Sequence, residues 1–280
     1  MSHDDAMPNT RQAVASTGLL VAAIRAAESE RDDPLFTDPY AAELAGPAGR
    51  RLLADYEAAT GQGPAIIEVR TRFWDEQLQR TAQRGARQFV ILAAGRDARA
   101  YRLAWPPDTV LFEVDQPAVL MAKDAVLADH RPGCTRRAVG ADLTEDWPAA
   151  LRAAGHDAAA PTVWLVEGLL QYLDQPSVDA LFANVDALSP SGATLLCDIV
   201  SLTLLESPFL APVRDYMSAL GAPWVYGTDS PAEPLQRLGW TVQVTDTAEP
   251  GYAWNRWPQP PAPLDVPGVP RGYFVTAGKA

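Results

Sequence analysis

The chain predicts an α/β protein built on a doubly wound, mostly parallel sheet. Two observations carry that expectation: five short apolar runs recur between residues 88 and 200, and helical patterns separate them. A third is that the runs lack strict polar–apolar alternation, as strands do when helices cover both faces of their sheet. With 280 residues, 48% of them hydrophobic, there is material for one main domain with a sizeable core.

The first 86 residues predict an N-terminal helical region packed on that core. Residues 11–30 read as an Ala-rich helix without proline. RDDPLFTDPYAAEL then carries two Asp-Pro turns and a short helix over 38–46, where Asp38 caps and Pro39 takes the first helical position. Further helices are expected over 48–59 and 63–84. In the latter, Ile66, Ile67, Val69, Phe73, Trp74 and Leu78 recur at three- and four-residue steps.

From residue 87 to 280 the pattern is that of the α/β domain. The strands are QFVILAA (88–94), TVLFEVD (109–115), RRAVGAD (136–142), TVWLVEG (162–168) and ATLLCDIV (193–200), with helices over 116–129, 145–154 and 175–188. Residues 201–226, broken at Pro208 and Pro212, predict a helical lid within an insertion of about 201–230. A helix over 231–238 leads into GWTVQVTD (239–246), and RGYFVTAG (271–278) closes the chain. Between those runs, about 247–270, prolines at 250, 258, 260, 261, 263, 267 and 270 exclude helix and strand, so a long loop is expected.

Composition removes several chemistries. The histidines are His3, His130 and His156, the cysteines Cys134 and Cys197, the lysines Lys123 and Lys279. They form no metal-ligand spacing, so no metal site is expected, and the unpaired cysteines suit a reducing cytoplasm. A net charge of −12 argues against a nucleic-acid partner, whose phosphates need Lys and Arg. The N-terminus MSHDDAMPNT lacks the basic and apolar regions of a signal peptide, and no run is long and apolar enough for a membrane span. Oligomeric state is not legible.

The strand ends carry the chemistry. In a doubly wound sheet the ligand lies beyond the C-terminal ends of the strands. Here those ends hold Gly95, Asp115, Asp142 and Glu167. Asp115 falls 20 positions after Gly95, where nucleoside-binding domains place the acid that accepts ribose hydroxyls. Taken singly, Gly95 would serve a tight strand-to-helix turn and Asp115 would equally cap the helix at Pro117. Their shared location is the argument for a site. The loop AAGRDA lacks the G-x-G-x-x-G of a dinucleotide cradle, which disfavours a nicotinamide dehydrogenase. Arg70 and Arg72 sit in EVRTRFWDEQL among residues expected to be buried; a solvated face with ion pairs is the alternative.

Together, RTRFWD, LAAGRDARAYRL, FEVDQP, GADL and EGLLQYL resemble the leucine carboxyl methyltransferase family of S-adenosylmethionine-dependent enzymes, in its bacterial branch, over roughly residues 14–247. The resemblance implies a Rossmann-like class I methyltransferase fold of seven strands with a final antiparallel hairpin. It implies S-adenosyl-L-methionine as cofactor, with Arg70 on its carboxylate, Gly95 at the first loop, Asp115 on the ribose, Asp142 and Leu143 beside the adenine, and Glu167 as the acid of the E-G-L-L motif. One departure is visible: the family usually has glycine where this chain has Ala93.

The histidine placement bears on the reaction. A carboxylate is ionised at neutral pH, whereas a phenol or alcohol gains from a general base. The expectation is therefore O-methylation of a carboxylate on a small molecule such as a secondary metabolite, with Tyr172, Tyr216, Trp224, Tyr226 and Trp254 shaping the acceptor pocket. Methylation of a phenol or alcohol hydroxyl, or a non-methylating reaction that keeps the cofactor, are the alternatives.

Overall fold

The computed structural model describes residues 10–61 and 65–280. His3 lies outside the described residues. Three helices come first: α1 (Thr10–Ser29), α2 (Ala41–Thr60) and α3 (Ala65–Gln83). The two helices expected over 38–46 and 48–59 join into α2 without a loop, because Gly46 takes a left-handed φ of 57° and Pro47 restarts the helix at once.

A seven-stranded sheet follows: β1 (Gln88–Leu92), β2 (Val110–Asp115), β3 (Thr135–Gly140), β4 (Thr162–Val166), β5 (Thr194–Val200), β6 (Trp240–Asp246) and β7 (Gly272–Lys279). Their order is β3-β2-β1-β4-β5-β7-β6. The first five pair in parallel, and β7 runs antiparallel to both β5 and β6. Between and after the strands come α4 (Arg99–Arg102), α5 (Pro117–Val126), α6 (Trp147–Ala153), α7 (Gln175–Ala187), α8 (Leu202–Glu206), α9 (Ala211–Ala219), α10 (Glu233–Gln236) and α11 (Ala248–Ala253).

The strands read as unbroken apolar runs because each face has its own helical cover. Val90, Leu92, Phe112, Val114, Trp164 and Val166 pack against α6 and α7 through Trp147, Leu151, Val178 and Phe182. Their neighbours Phe89, Ile91, Leu111, Val163 and Leu165 pack against α3 through Val69, Trp74 and Leu78. Alternate residues therefore point to opposite, equally dry layers.

The expectation for the proline-rich stretch needs correcting. Helix α11 occupies Ala248–Ala253, because Pro250 falls in its first turn, where the missing N–H has no intrahelical acceptor to lose. The rest of the stretch is held by Arg271, whose guanidinium donates to the carbonyls of Ala262 and Pro263 and pairs with Asp246. The segment expected to form a lid folds into α8, a 3-10 turn over Pro208–Leu210, and α9, which packs on α2. No helix among the described residues is long and apolar enough to cross a membrane.

Candidate functional site

A cavity of about 550 Å³ opens at the C-terminal ends of β1, β2, β3 and β4, the switch point where strand order reverses beside β1. One wall is α1, through Val14, Ala15, Thr17, Gly18, Val21 and Arg25. The opposite wall is the row of strand ends, and Gly95, Asp115, Asp142, Leu143 and Glu167 all line it, together with Arg70 and Tyr172. Six residues read from the sequence as cofactor-binding thus converge on one space.

Two backbone features shape the rim. Gly95 has a φ of 49° and donates its N–H to Asp115 Oδ2 at 2.7 Å, while Gln116 N–H donates to Asp115 Oδ1 at 2.7 Å. Asp115 is therefore both a loop clamp and a cavity-facing acid, which unites the two readings its position allowed. Burial raises its carboxyl above the ordinary range, and those two backbone donors oppose the rise. Asp142 accepts from the Thr144 N–H and hydroxyl at 2.9 and 2.7 Å, which turns the chain beyond β3.

Glu167 is the hub of a buried ionic cluster. Its Oε1 accepts from Arg25 Nη2 at 2.9 Å and Arg70 Nε at 3.1 Å, and its Oε2 from Arg99 Nη1 at 2.7 Å. Burial alone would raise its carboxyl, but Arg99, Arg25 and Arg70 overcome that and hold it far below the carboxylate range. Arg70 also reaches Asp198 on β5 through Nη1 at 3.1 Å, and Gly168 N–H donates to Asp198 Oδ1 at 2.8 Å. A side chain at Gly168 would stand 3.0 Å from Arg70 Nη2, so the glycine admits the guanidinium.

Behind this layer Arg99 donates to Asp75 Oδ1 at 2.6 Å and pairs with Asp97, and Arg102 pairs with Asp75 and Asp38. Arg25, Asp75, Asp97, Arg99 and Asp198 escaped the sequence reading. Arg25 left a trace as the lone charge inside the apolar run of α1, and Asp97 and Arg99 lie within the quoted LAAGRDARAYRL. Asp75 ends the quoted RTRFWD, and Asp198 is the single charge in the apolar run ATLLCDIV.

The expected acceptor-pocket aromatics scatter. Tyr172 lines the cavity, and Trp224 stands edge-on to it at 6.4 Å between centroids, behind the wall. Tyr216 instead donates to Leu52 O at 3.0 Å and packs against Tyr56. Tyr226 is buried in the sheet core, and Trp254 lies under the Arg72 guanidinium at 4.3 Å. Arg72 also pairs with Glu76 at 2.9 Å, so of the two arginines only Arg70 faces the cavity. His130 pairs with Glu43 on the surface, and His156 bonds Thr162 Oγ1 at 3.0 Å at the N-terminal end of β4. Burial holds His156 down to about 4. Among the described residues no group of His, Cys, Asp and Glu is arranged to hold a metal ion.

The residues fit a nucleoside carrying an amino acid. Asp115 has lone pairs left for vicinal hydroxyls, and Arg25 and Arg70 keep unused N–H donors for a carboxylate. In the cluster the four guanidiniums of Arg25, Arg70, Arg99 and Arg102 face five carboxyl groups, those of Asp38, Asp75, Asp97, Glu167 and Asp198. A cationic ligand therefore meets no surplus of positive charge.

The chain is an S-adenosylmethionine-dependent methyltransferase. The chain belongs to the leucine carboxyl methyltransferase family, whose model matches residues 18–186. A relative from Mycolicibacterium smegmatis, named as an S-adenosyl-L-methionine-dependent methyltransferase, is 47% identical over 270 residues covering 87% of each chain. One of the same description from Streptomyces coelicolor is 41% identical over 253 residues, 86% of this chain and 88% of its own. Among solved structures, a DUF574 family protein from Streptomyces avermitilis shares the fold with a TM-score of 0.65 at 15% identity, over 94% of this chain and 97% of its own. A protein from Thermobifida fusca described as a methyltransferase gives 0.57 at 19%, over 94% of each.

Proposed function

We propose that the protein transfers the methyl group of S-adenosylmethionine to a carboxylate oxygen of a small molecule, a secondary metabolite of the cytoplasm. The observation that carries this reading is the pairing of the cavity's inner acids: Asp97 is bound by Arg99, and Glu167 by Arg25, Arg70 and Arg99, which lowers both carboxyls, and a lowered carboxyl is a weaker base. The described histidines lie away from the cavity. A nucleophile that is already an anion suits such a site.

The cofactor supplies an electrophilic methyl on a sulfonium, and in-line displacement by a carboxylate needs no proton transfer. The protein's part is then positioning, worth up to about 7–11 kcal/mol in favourable systems. Arg25 and Arg70 hold the cofactor's carboxylate, Asp97 and Glu167 its amino group, Asp115 its ribose, and Asp142 with Leu143 its adenine. Gly95 lets the loop approach, α1 excludes water along one side, and Tyr172 marks the acceptor end.

The test is methyl transfer from radiolabelled cofactor to candidate acids. Base-labile label, released as methanol, is expected; a base-stable aryl ether as sole product would replace the carboxylate reading with the hydroxyl one.

A further inference from the structure

Arg99 is the most completely enclosed charge of the cluster, with none of its surface exposed. It lies outside the cavity, yet Asp97 and Glu167, both of which line that cavity, are each bound to it. Its Nη1 donates to Asp97 Oδ2 and, at 2.7 Å, to Glu167 Oε2; its backbone N–H donates to Asp97 Oδ1 at 2.7 Å. Its Nε is anchored on Asp75 at 2.6 Å, and Asp75 is anchored in turn by Arg102 at 2.8 Å. One planar guanidinium thus spans the loop after β1 and the end of β4, and α3 holds it from behind.

We propose that Arg99 is a positioning residue for cofactor binding: it locks Asp97 and Glu167 as a pair of acceptors, each turned so that a lone pair faces the cavity, for the cofactor's ammonium group. A carboxyl group can accept more than the two or three bonds it already makes here, so capacity remains for a ligand N–H. Lysine would bring the charge without the Nε–H that anchors the group on Asp75 while Nη1 holds both acids. Burial works against ionisation of both carboxyls, and the Arg99 charge is the foremost one opposing it at each.

The inference rests on the cofactor-site reading above, and two ligands separate their failures. S-Adenosylhomocysteine carries the amino acid end; 5′-methylthioadenosine lacks it. For Arg99→Gln, affinity for the first is expected to fall about 10- to 100-fold with the second changed less than about threefold. The loss should deepen as pH falls from about 7 to 5, because without the foremost charge that opposes burial the Glu167 carboxyl rises toward protonation. Wild type should show no such slope. Arg102→Gln, which loosens Asp75 but touches neither cavity acid, is expected to lower the melting temperature without the pH slope. Equal loss of both ligands in Arg99→Gln, or an unchanged profile, would overturn the proposal. Should that variant not fold, Asp97→Asn decides: the proposal requires selective loss of S-adenosylhomocysteine, and equal binding of both ligands as in wild type sinks it. A wild type that binds neither ligand would instead remove the cofactor-site reading.

Discussion

The Gly95 N–H donates to Asp115 Oδ2 at 2.7 Å, which ties the loop after β1 to the tip of β2 across 20 residues of sequence. The bond makes the loop's shape depend on an acid that also lines the cavity. Asp115→Ala removes both the clamp and the ribose acceptor. The dissociation constant for S-adenosylhomocysteine is expected to rise at least about 10-fold, since a hydrogen bond to a charged group contributes about 1.5–3 kcal/mol. Isothermal titration gives the answer, and an unchanged constant would count against Asp115 as a ribose ligand.

Ala93 carries a φ of 54°. A left-handed alanine costs about 1–2 kcal/mol relative to the right-handed region, a penalty glycine avoids. Ala93→Gly is therefore expected to raise the melting temperature by about 2–4 °C, after allowing for the greater freedom glycine has in the unfolded chain. A fall in melting temperature would mean that the methyl packs well enough against the cavity wall to outweigh the strain.

Gly49 of α2 lies against α1, where an added Cβ would stand 2.5 Å from the Leu19 carbonyl oxygen. Backbone cannot yield as a side-chain tip can, so Gly49→Ala must push the two helices apart. Overpacking of this kind costs about 1–3 kcal/mol. Because α1 is a wall of the cavity, cofactor affinity should drop together with thermal stability; a stability loss at constant affinity would show that α1 moves without altering the site.

Glu68 enters α3 with its Oε2 buried and without a hydrogen-bond partner. Burial pushes its carboxyl up to about 7, with the Glu28 carboxylate adding to the rise and Arg256 and Arg31 opposing it. A raised acid binds its proton more tightly folded than unfolded, so its contribution to stability is present at low pH. It is lost as pH climbs from about 4.3 through about 7. Glu68→Gln stays neutral, and its melting temperature relative to wild type is expected to increase between pH 5 and 8. A pH-independent difference would show that Glu68 titrates normally.

The five strands of the sheet's parallel part, and the gathering of Gly95, Asp115, Asp142 and Glu167 at one edge, were legible in the chain. Their signals are local: each of these strands is a run of five to seven residues, and each site residue ends one or follows it within three residues. The helix α11 was not legible, because proline density hides the fact that a helix's first turn tolerates proline. The aromatic residues Tyr216, Tyr226 and Trp254 misled for a related reason, since an aromatic side chain packs against a neighbouring helix or core as readily as it lines a ligand pocket.

What the sequence by itself determined, then, is the layered α/β architecture, the family, and which carboxylates stand at the rim. What only the tertiary structure decided is how those carboxylates are held. Glu167 meets Arg25 across 142 residues, Arg70 across 97 and Arg99 across 68. Such pairings follow no period along the chain. They exist because folding brings α1, α3 and the strand ends into one dry space, where each buried charge must find an opposite charge or lose its ionisation.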